Sequence, residues 1–175
     1  NMSNIDDKKM AAFAQKVKED RKWYIENFLK IRNKQAKLVP FQYNAAQEIF
    51  ESIIAKNTAE GKLHRYIVLK ARQMGLSTFT EGLIFHGTAT EEYINSLIIA
   101  HEDKATQNLF NMSKLFFDEL PVSLQPMKKY SNEKALVFEN PSSDPEEKQA
   151  NPGLRSKITV ATAGTAEAGR SGTYH

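Results

Sequence analysis

Cysteine is missing from this chain of 175 residues. Its absence excludes disulfides and thiolate metal sites and is consistent with a reducing cytoplasm. The four histidines, His64, His86, His101 and His175, fall at no metal-ligand spacing and read as surface or partly packed imidazoles. No apolar run approaches the length of a membrane span, since Ser96-Leu97-Ile98-Ile99-Ala100 is far too short. The leading residues Asn1 to Asp7 carry no apolar stretch of the signal-peptide kind. No internal repeat occurs, and no membrane partner is expected.

What is present suits one α/β domain with a real core, at 41% apolar residues. The net charge of +3 is unevenly spread, because residues 1–37 hold ten Lys/Arg against five Asp/Glu. Such a basic leading segment either touches nucleic acid or is the solvated face of a helix. Met10, Phe13, Val17, Tyr24, Phe28 and Ile31 recur near a 3.6 period, which predicts one amphipathic helix over about 7–32. Trp23 and Tyr24 are expected to anchor it rather than stack on a base.

Val39-Pro40-Phe41 stops helical continuation. A second helix is expected from Tyr43 to about Asn57, with Ala46, Ile49, Phe50, Ile53 and Ile54 as its buried stripe. Residues 66–70 form a nearly all-apolar run of the central parallel-strand kind. A helix follows from Ser77 to about 89, then a strand over 96–100. The next helix opens at His101-Glu102-Asp103, with Asp103 as its cap and Leu109, Met112, Leu115 and Phe116 as its core stripe. Further strands are expected at 135–138 and 157–161, separated by an exposed loop from Asn140 to Arg155. The succession of strands and helices implies a parallel sheet with right-handed crossovers.

The most informative stretch runs from Tyr66 to Thr78: strand, tight turn with a glycine, then hydroxyl residues opening a helix. Backbone N–H groups at such a turn, with the positive end of the helix dipole, converge on a phosphate. Against the usual G-x-x-x-x-G-K-[ST] loop, Gly75 and Ser77 fall in register, while Leu76 fills the lysine slot and Lys70 the first-glycine slot. Lys70 therefore stands on the strand side, from where its flexible stem could reach the β/γ-phosphates. Arg72 adds a planar cation suited to phosphate. The pattern fits a variant ATP-binding loop, and also an ordinary strand–turn–helix with solvated Lys70 and Arg72. In sheets of this type ligands sit beyond the carboxyl ends of the strands, where this turn is expected.

Leu69-Lys70-Ala71-Arg72-Gln73-Met74-Gly75-Leu76-Ser77-Thr78 resembles the phosphate loop of large terminase subunits, the motors that package DNA into tailed-bacteriophage heads. In some branches of that family the lysine stands at the start of the loop. Pro40-Phe41-Gln42-Tyr43-Asn44-Ala45-Ala46-Gln47 is similar to its adenine-side segment, and Leu97-Ile98-Ile99-Ala100-His101 to its second core strand. Thr162-Ala163 and Gly169-Arg170 resemble the stretch before its acidic motif. The resemblance covers about residues 38–175. It implies a three-layer P-loop NTPase domain (ASCE/RecA-like) with a mainly parallel sheet, partial over 38–175 and preceded by a helical segment over 1–37. The Walker B acid does not occur before His175. Leu115-Phe116-Phe117-Asp118-Glu119 belongs by spacing to a helix instead. A nuclease domain is also not seen, so an amino-terminal fragment is expected.

By that resemblance the cofactors are ATP and Mg²⁺. Lys70 and Arg72 are the catalytic candidates, and Gln47, Lys70, Arg72, Gln73, Met74, Gly75, Leu76, Ser77 and Thr78 bind the nucleotide. Ser77 holds the metal, with Thr78 as substitute. Gln47 has the donor and acceptor needed to read an adenine edge, and is otherwise a helix-surface glutamine. Arg170 either contacts phosphate or a neighbouring subunit, or is a solvated terminal arginine. Partners implied are double-stranded viral DNA, a portal protein, a small terminase subunit and further copies in a ring, in the bacterial host cytoplasm. The whole protein is expected to be an endonuclease as well. Without a carboxylate to activate water, this chain should bind nucleotide with little turnover. Alternatives are a helicase or restriction-type translocase, which normally carries lysine at the Leu76 position, and a degenerate α/β assembly module.

Overall fold

Asp20 breaks the leading helix in two. The computed structural model describes the backbone of residues 2–71 and 73–164 and the side chains of 6–71 and 73–164. Helix α1 spans Met2–Glu19 and α2 spans Arg21–Phe28. Between them Asp20 is non-helical, at φ −99° and ψ 75°, and its carboxylate accepts the Trp23 N–H. An aspartate competes well for backbone N–H groups, so it starts a new helix rather than continuing an old one. The single helix expected over 7–32 is thus corrected. Its last residues form β1, Lys30–Arg32, antiparallel to β2, Leu38–Pro40. Of the expected stripe Tyr24 is fully buried, Val17, Phe28 and Ile31 are partly buried, and Met10 and Phe13 stay exposed. Ile25 and Leu29, outside that stripe, also enter the core.

Helix α3 spans Ala45–Ala59. Gln47 and Ile54 are buried and Phe50 packs against the core, but Ile49 and Ile53 are 63% and 45% exposed. The buried face is therefore narrower than the apolar stripe. The strand expected over 66–70 is not formed. These residues enter no ladder, and Ile67 and Leu69 are fully exposed. A strand is held by neighbours on its ladder, and among the described residues none lies alongside. Tyr66 is fixed to α3 instead: its ring meets Phe50 edge-on at 5.2 Å, and its hydroxyl accepts from Asn57 at 3.1 Å.

Helix α4 (Leu76–Thr90), β3 (Asn95–Ala100) and α5 (Asp103–Glu119) follow in turn. Then come β4 (Tyr130–Ser131), β5 (Ala135–Phe138), the short α6 (Pro145–Ala150) and β6 (Ser156–Thr162). The four-stranded sheet has the order β3-β6-β5-β4. Only β3 and β6 run parallel, and the other two pairings are antiparallel. The sheet is mixed rather than mainly parallel, and two local devices reverse the chain. Asn132 Oδ1 accepts from Lys134 and Ala135 N–H, closing the β4–β5 turn. The Asn140 N–H, bonded to the Pro152 carbonyl, draws together the ends of the 140–155 segment. That segment, expected as a loop, carries α6, with Asp144 as cap and Pro145 in its first turn.

Helices α4 and α5 pack on each other and on the sheet. Phe85, Phe110, Phe116, Phe138 and Ile158 are fully buried in this core, and Phe79 is buried against Tyr43 and Phe50. In α5 the buried face is Thr106, Phe110, Ser113, Phe116 and Phe117, so Leu109 and Met112 flank it, partly buried, and Leu115 lines a surface groove beside β1 with Ile31 and Arg32. The residue before the helix is Glu102, and Asp103 is no cap: it accepts the Thr162 hydroxyl at 2.5 Å. Glu81 lies in the α4–α5 contact at 2% exposure and accepts the Ser113 hydroxyl. Burial raises its carboxyl to about 7, against the opposing hydrogen bond. His86 donates from Nε2 to the Val17 carbonyl at 2.9 Å and is held below its usual range by burial. No described helix is long and apolar enough to cross a membrane.

Candidate functional site

Two helices begin next to each other, and the loop of interest lies between them. Asn44 caps α3, its Oδ1 accepting from Ala46 and Gln47 N–H. Gln47 answers through Oε1, which accepts the Asn44 N–H at 2.9 Å and completes a capping box. The same two side chains then reach outward. Asn44 Nδ2 donates to the Met74 carbonyl at 3.2 Å, and Gln47 Nε2 to the Gly75 carbonyl at 2.8 Å.

The turn they grip is left-handed at two positions, Gln73 at φ 65° and Gly75 at φ 69°. Glycine is needed at the second for more than its φ. A Cβ there would stand 2.9 Å from Gln47 Nε2 and 3.1 Å from Asn44 Nδ2. Helix α4 starts at Leu76 with no side-chain cap. Its first intrahelical bond runs from the Phe79 N–H to the Gly75 carbonyl at 3.0 Å. The N–H groups of the turn before Phe79 have no intrahelical acceptor, and the helix dipole adds positive potential there. From Tyr66 through Thr80 the chain contains no carboxylate. The local donor set consists of amides, hydroxyls and cations, which suits an anion such as a phosphate.

The predicted residues divide into those the fold gathers and those it does not. Gln47, Gln73, Met74, Gly75, Leu76 and Ser77 are brought together at the turn. Ser77 is exposed there, while Leu76, in the usual lysine slot, is buried at 8% exposure. Thr78 turns aside into a groove lined also by Ile31, Arg32, Asn108, Asn111 and Lys114. Lys70 is exposed on the irregular segment before the turn. Its ammonium has no ion pair among the described residues. Arg72 and Arg170 lie outside the described residues. Gln47 is only 3% exposed, so its amide faces the loop rather than open solvent. Asn44 was given no role by sequence reasoning, although the Asn-x-x-Gln spacing before an apolar stripe is itself a capping-box signal. Among the described residues no cluster of acidic or histidine side chains could hold a metal alone. Comparison of the chain with protein-family models gave no match, and neither did comparison with curated proteins.

Proposed function

We propose that this chain is the ATP-binding part of a DNA-packaging motor of the large terminase type. One observation carries the proposal: a glycine-centred left-handed turn, free of carboxylates, leads directly into an α4 start that no side chain caps. In this reading the amides of Gly75, Leu76 and Ser77 receive phosphate oxygens, and Lys70 supplies a point charge to the β/γ end. The exposed Ser77 hydroxyl, on the first turn of α4, is the residue that would help hold Mg²⁺. Magnesium retains several waters and binds through substrate phosphates with one or two carboxylates; Ser77 would supply only the hydroxyl, and the described residues hold no acidic cluster beside it. ATP supplies the phosphoryl group whose transfer drives translocation, and the chain's own contribution is to bind, orient and neutralise charge. Arg72 adds a second cation by its place in the sequence. The exposed lysines of α1, Lys8, Lys9, Lys16 and Lys18, are candidates for the backbone of double-stranded DNA.

The test is Mg²⁺-dependent binding of a fluorescent ATP analogue to the chain and to Lys70→Ala. Saturable binding that weakens about 10- to 100-fold in the variant is expected, as for one charge-assisted contact. No binding by the folded native chain would remove the proposal. It would favour the second reading, a non-catalytic assembly module, for which the fully exposed Ile67 and Leu69 are the specific support.

A further inference from the structure

The capping box of α3 does two things at once, and the second has a directional consequence. Each residue uses one side of its amide to close its own helix and the other to hold a carbonyl of the neighbouring turn. Asn44 Oδ1 serves α3 while Nδ2 holds Met74 O. Gln47 Oε1 serves Asn44 while Nε2 holds Gly75 O. In a trans peptide the C=O and the following N–H point in opposite directions. Fixing the Met74 and Gly75 carbonyls toward α3 therefore aims the Gly75 and Leu76 N–H groups away from it. The Gly75 carbonyl is held twice, by Gln47 and by the Phe79 N–H, so that peptide cannot rotate without breaking both bonds.

We infer that Asn44 and Gln47 are positioning residues: they pre-set the two peptide planes whose N–H groups receive phosphate, and Gln47 does not read the nucleobase. This rests on the phosphate-binding reading of the turn and deepens it. Rotation of either plane would present a carbonyl oxygen to the anion, so the hydrogen bonds act on affinity through orientation alone. It also accounts for Gly75, since any side chain there would displace the two amides that hold the turn.

Two substitutions remove the grip and keep the caps. Gln47→Glu retains an oxygen for the Asn44 N–H, since glutamate serves a capping box, but has no proton for Gly75 O. Asn44→Ser retains an uncharged capping oxygen but cannot span to Met74 O. Hydrogen exchange of peptides covering 73–79 and 45–59, measured without ligand, comes first. Faster exchange confined to 73–79 in both variants is expected, and unchanged exchange there would overturn the inference. Binding of Mg²⁺ complexes of ATP, GTP and inorganic tripolyphosphate is then compared in native chain and Asn44→Ser. All three should weaken by the same factor, about three- to tenfold for one hydrogen bond. The same comparison in Gln47→Glu removes the ambiguity about the base. If ATP alone weakens while tripolyphosphate holds, Gln47 reads adenine and the inference fails. If the native chain binds none of the three, the phosphate reading fails, and the exchange data report separately on whether the grip exists.

Discussion

Helices α3 and α4 start side by side but are finished in opposite ways. The first turn of α3 is closed by its own sequence, with Asn44 and Gln47 bonding each other's backbone. The first turn of α4 has no side-chain cap and opens from a left-handed glycine. Capping is worth about 1 kcal/mol to a helix, so an uncapped start beside a fully capped one leaves donors available at a local cost. The capped helix also restrains the uncapped one, through the Asn44 and Gln47 amides. Capping is concentrated at one start, and N–H groups without a side-chain cap at the other.

Separating the two starts should have the largest effect. Phe79 is fully buried on α4 and meets Tyr43 at 5.1 Å and Phe50 at 5.6 Å, before and within α3. Phe79→Ala should cost about 3–5 kcal/mol in denaturant unfolding, as for a buried phenylalanine. It should also loosen the turn. A loss below about 1 kcal/mol would mean the helices do not depend on this contact.

Two residues further along α4, Glu81 sharpens the contrast through pH. Its folded carboxyl titrates near 7, above the ordinary range, so between about pH 4.5 and 7 the folded state holds a proton that the unfolded state has lost. Stability from this group therefore falls as pH rises through that window and levels off above it. Glu81→Gln should flatten the fall, leaving the variant more stable than the native chain at pH 8 by on the order of 1–3 kcal/mol. His86 acts with the opposite sign, since burial keeps it neutral and its contribution is lost as pH drops below its ordinary value. Unfolding series from pH 5 to 8 separate the two.

The smallest expected effect compares two glycines. Gly61 and Gly75 have nearly equal φ, 63° and 69°, but a Cβ on Gly61 would meet nothing within 4 Å. Both alanine variants should lose about 1–2 kcal/mol locally from the left-handed backbone. Only Gly75→Ala should also disturb ATP-analogue binding. Equal binding in both variants would show that close approach of the Asn44 and Gln47 amides is unimportant.

Most helices were legible because their signals are local. The 3.6 periods in 45–59, 76–90 and 103–119 lie within single elements, whereas the caps Asn44 and Asp144, though equally local, carried no expectation. The break at Asp20 was equally local but was overridden by the apolar period running across it. Sheet features depended on more distant partners. The run 66–70 has the composition of a buried strand, but composition cannot state whether a ladder exists beside it. The mixed direction of the sheet was set by the Asn132 turn and the Asn140–Pro152 closure, which pattern alone did not weigh. At the turn, the glycine and hydroxyl register located the residues, while the grip on Met74 and Gly75 needed the packing of α3 against α4. The Glu81–Ser113 pair joins residues 32 positions apart, and neither residue stands out from its neighbours in sequence.

The most direct test is an NMR titration of the ¹⁵N-labelled chain with ATP and Mg²⁺, following the amides of Gly75, Leu76 and Ser77. The account predicts that these three shift most, in a saturable manner, and that Lys70→Ala moves the response to about 10- to 100-fold higher ATP. A folded chain whose largest shifts lie instead at the Arg32, Asn111 and Lys114 groove, or which shows none, would contradict it.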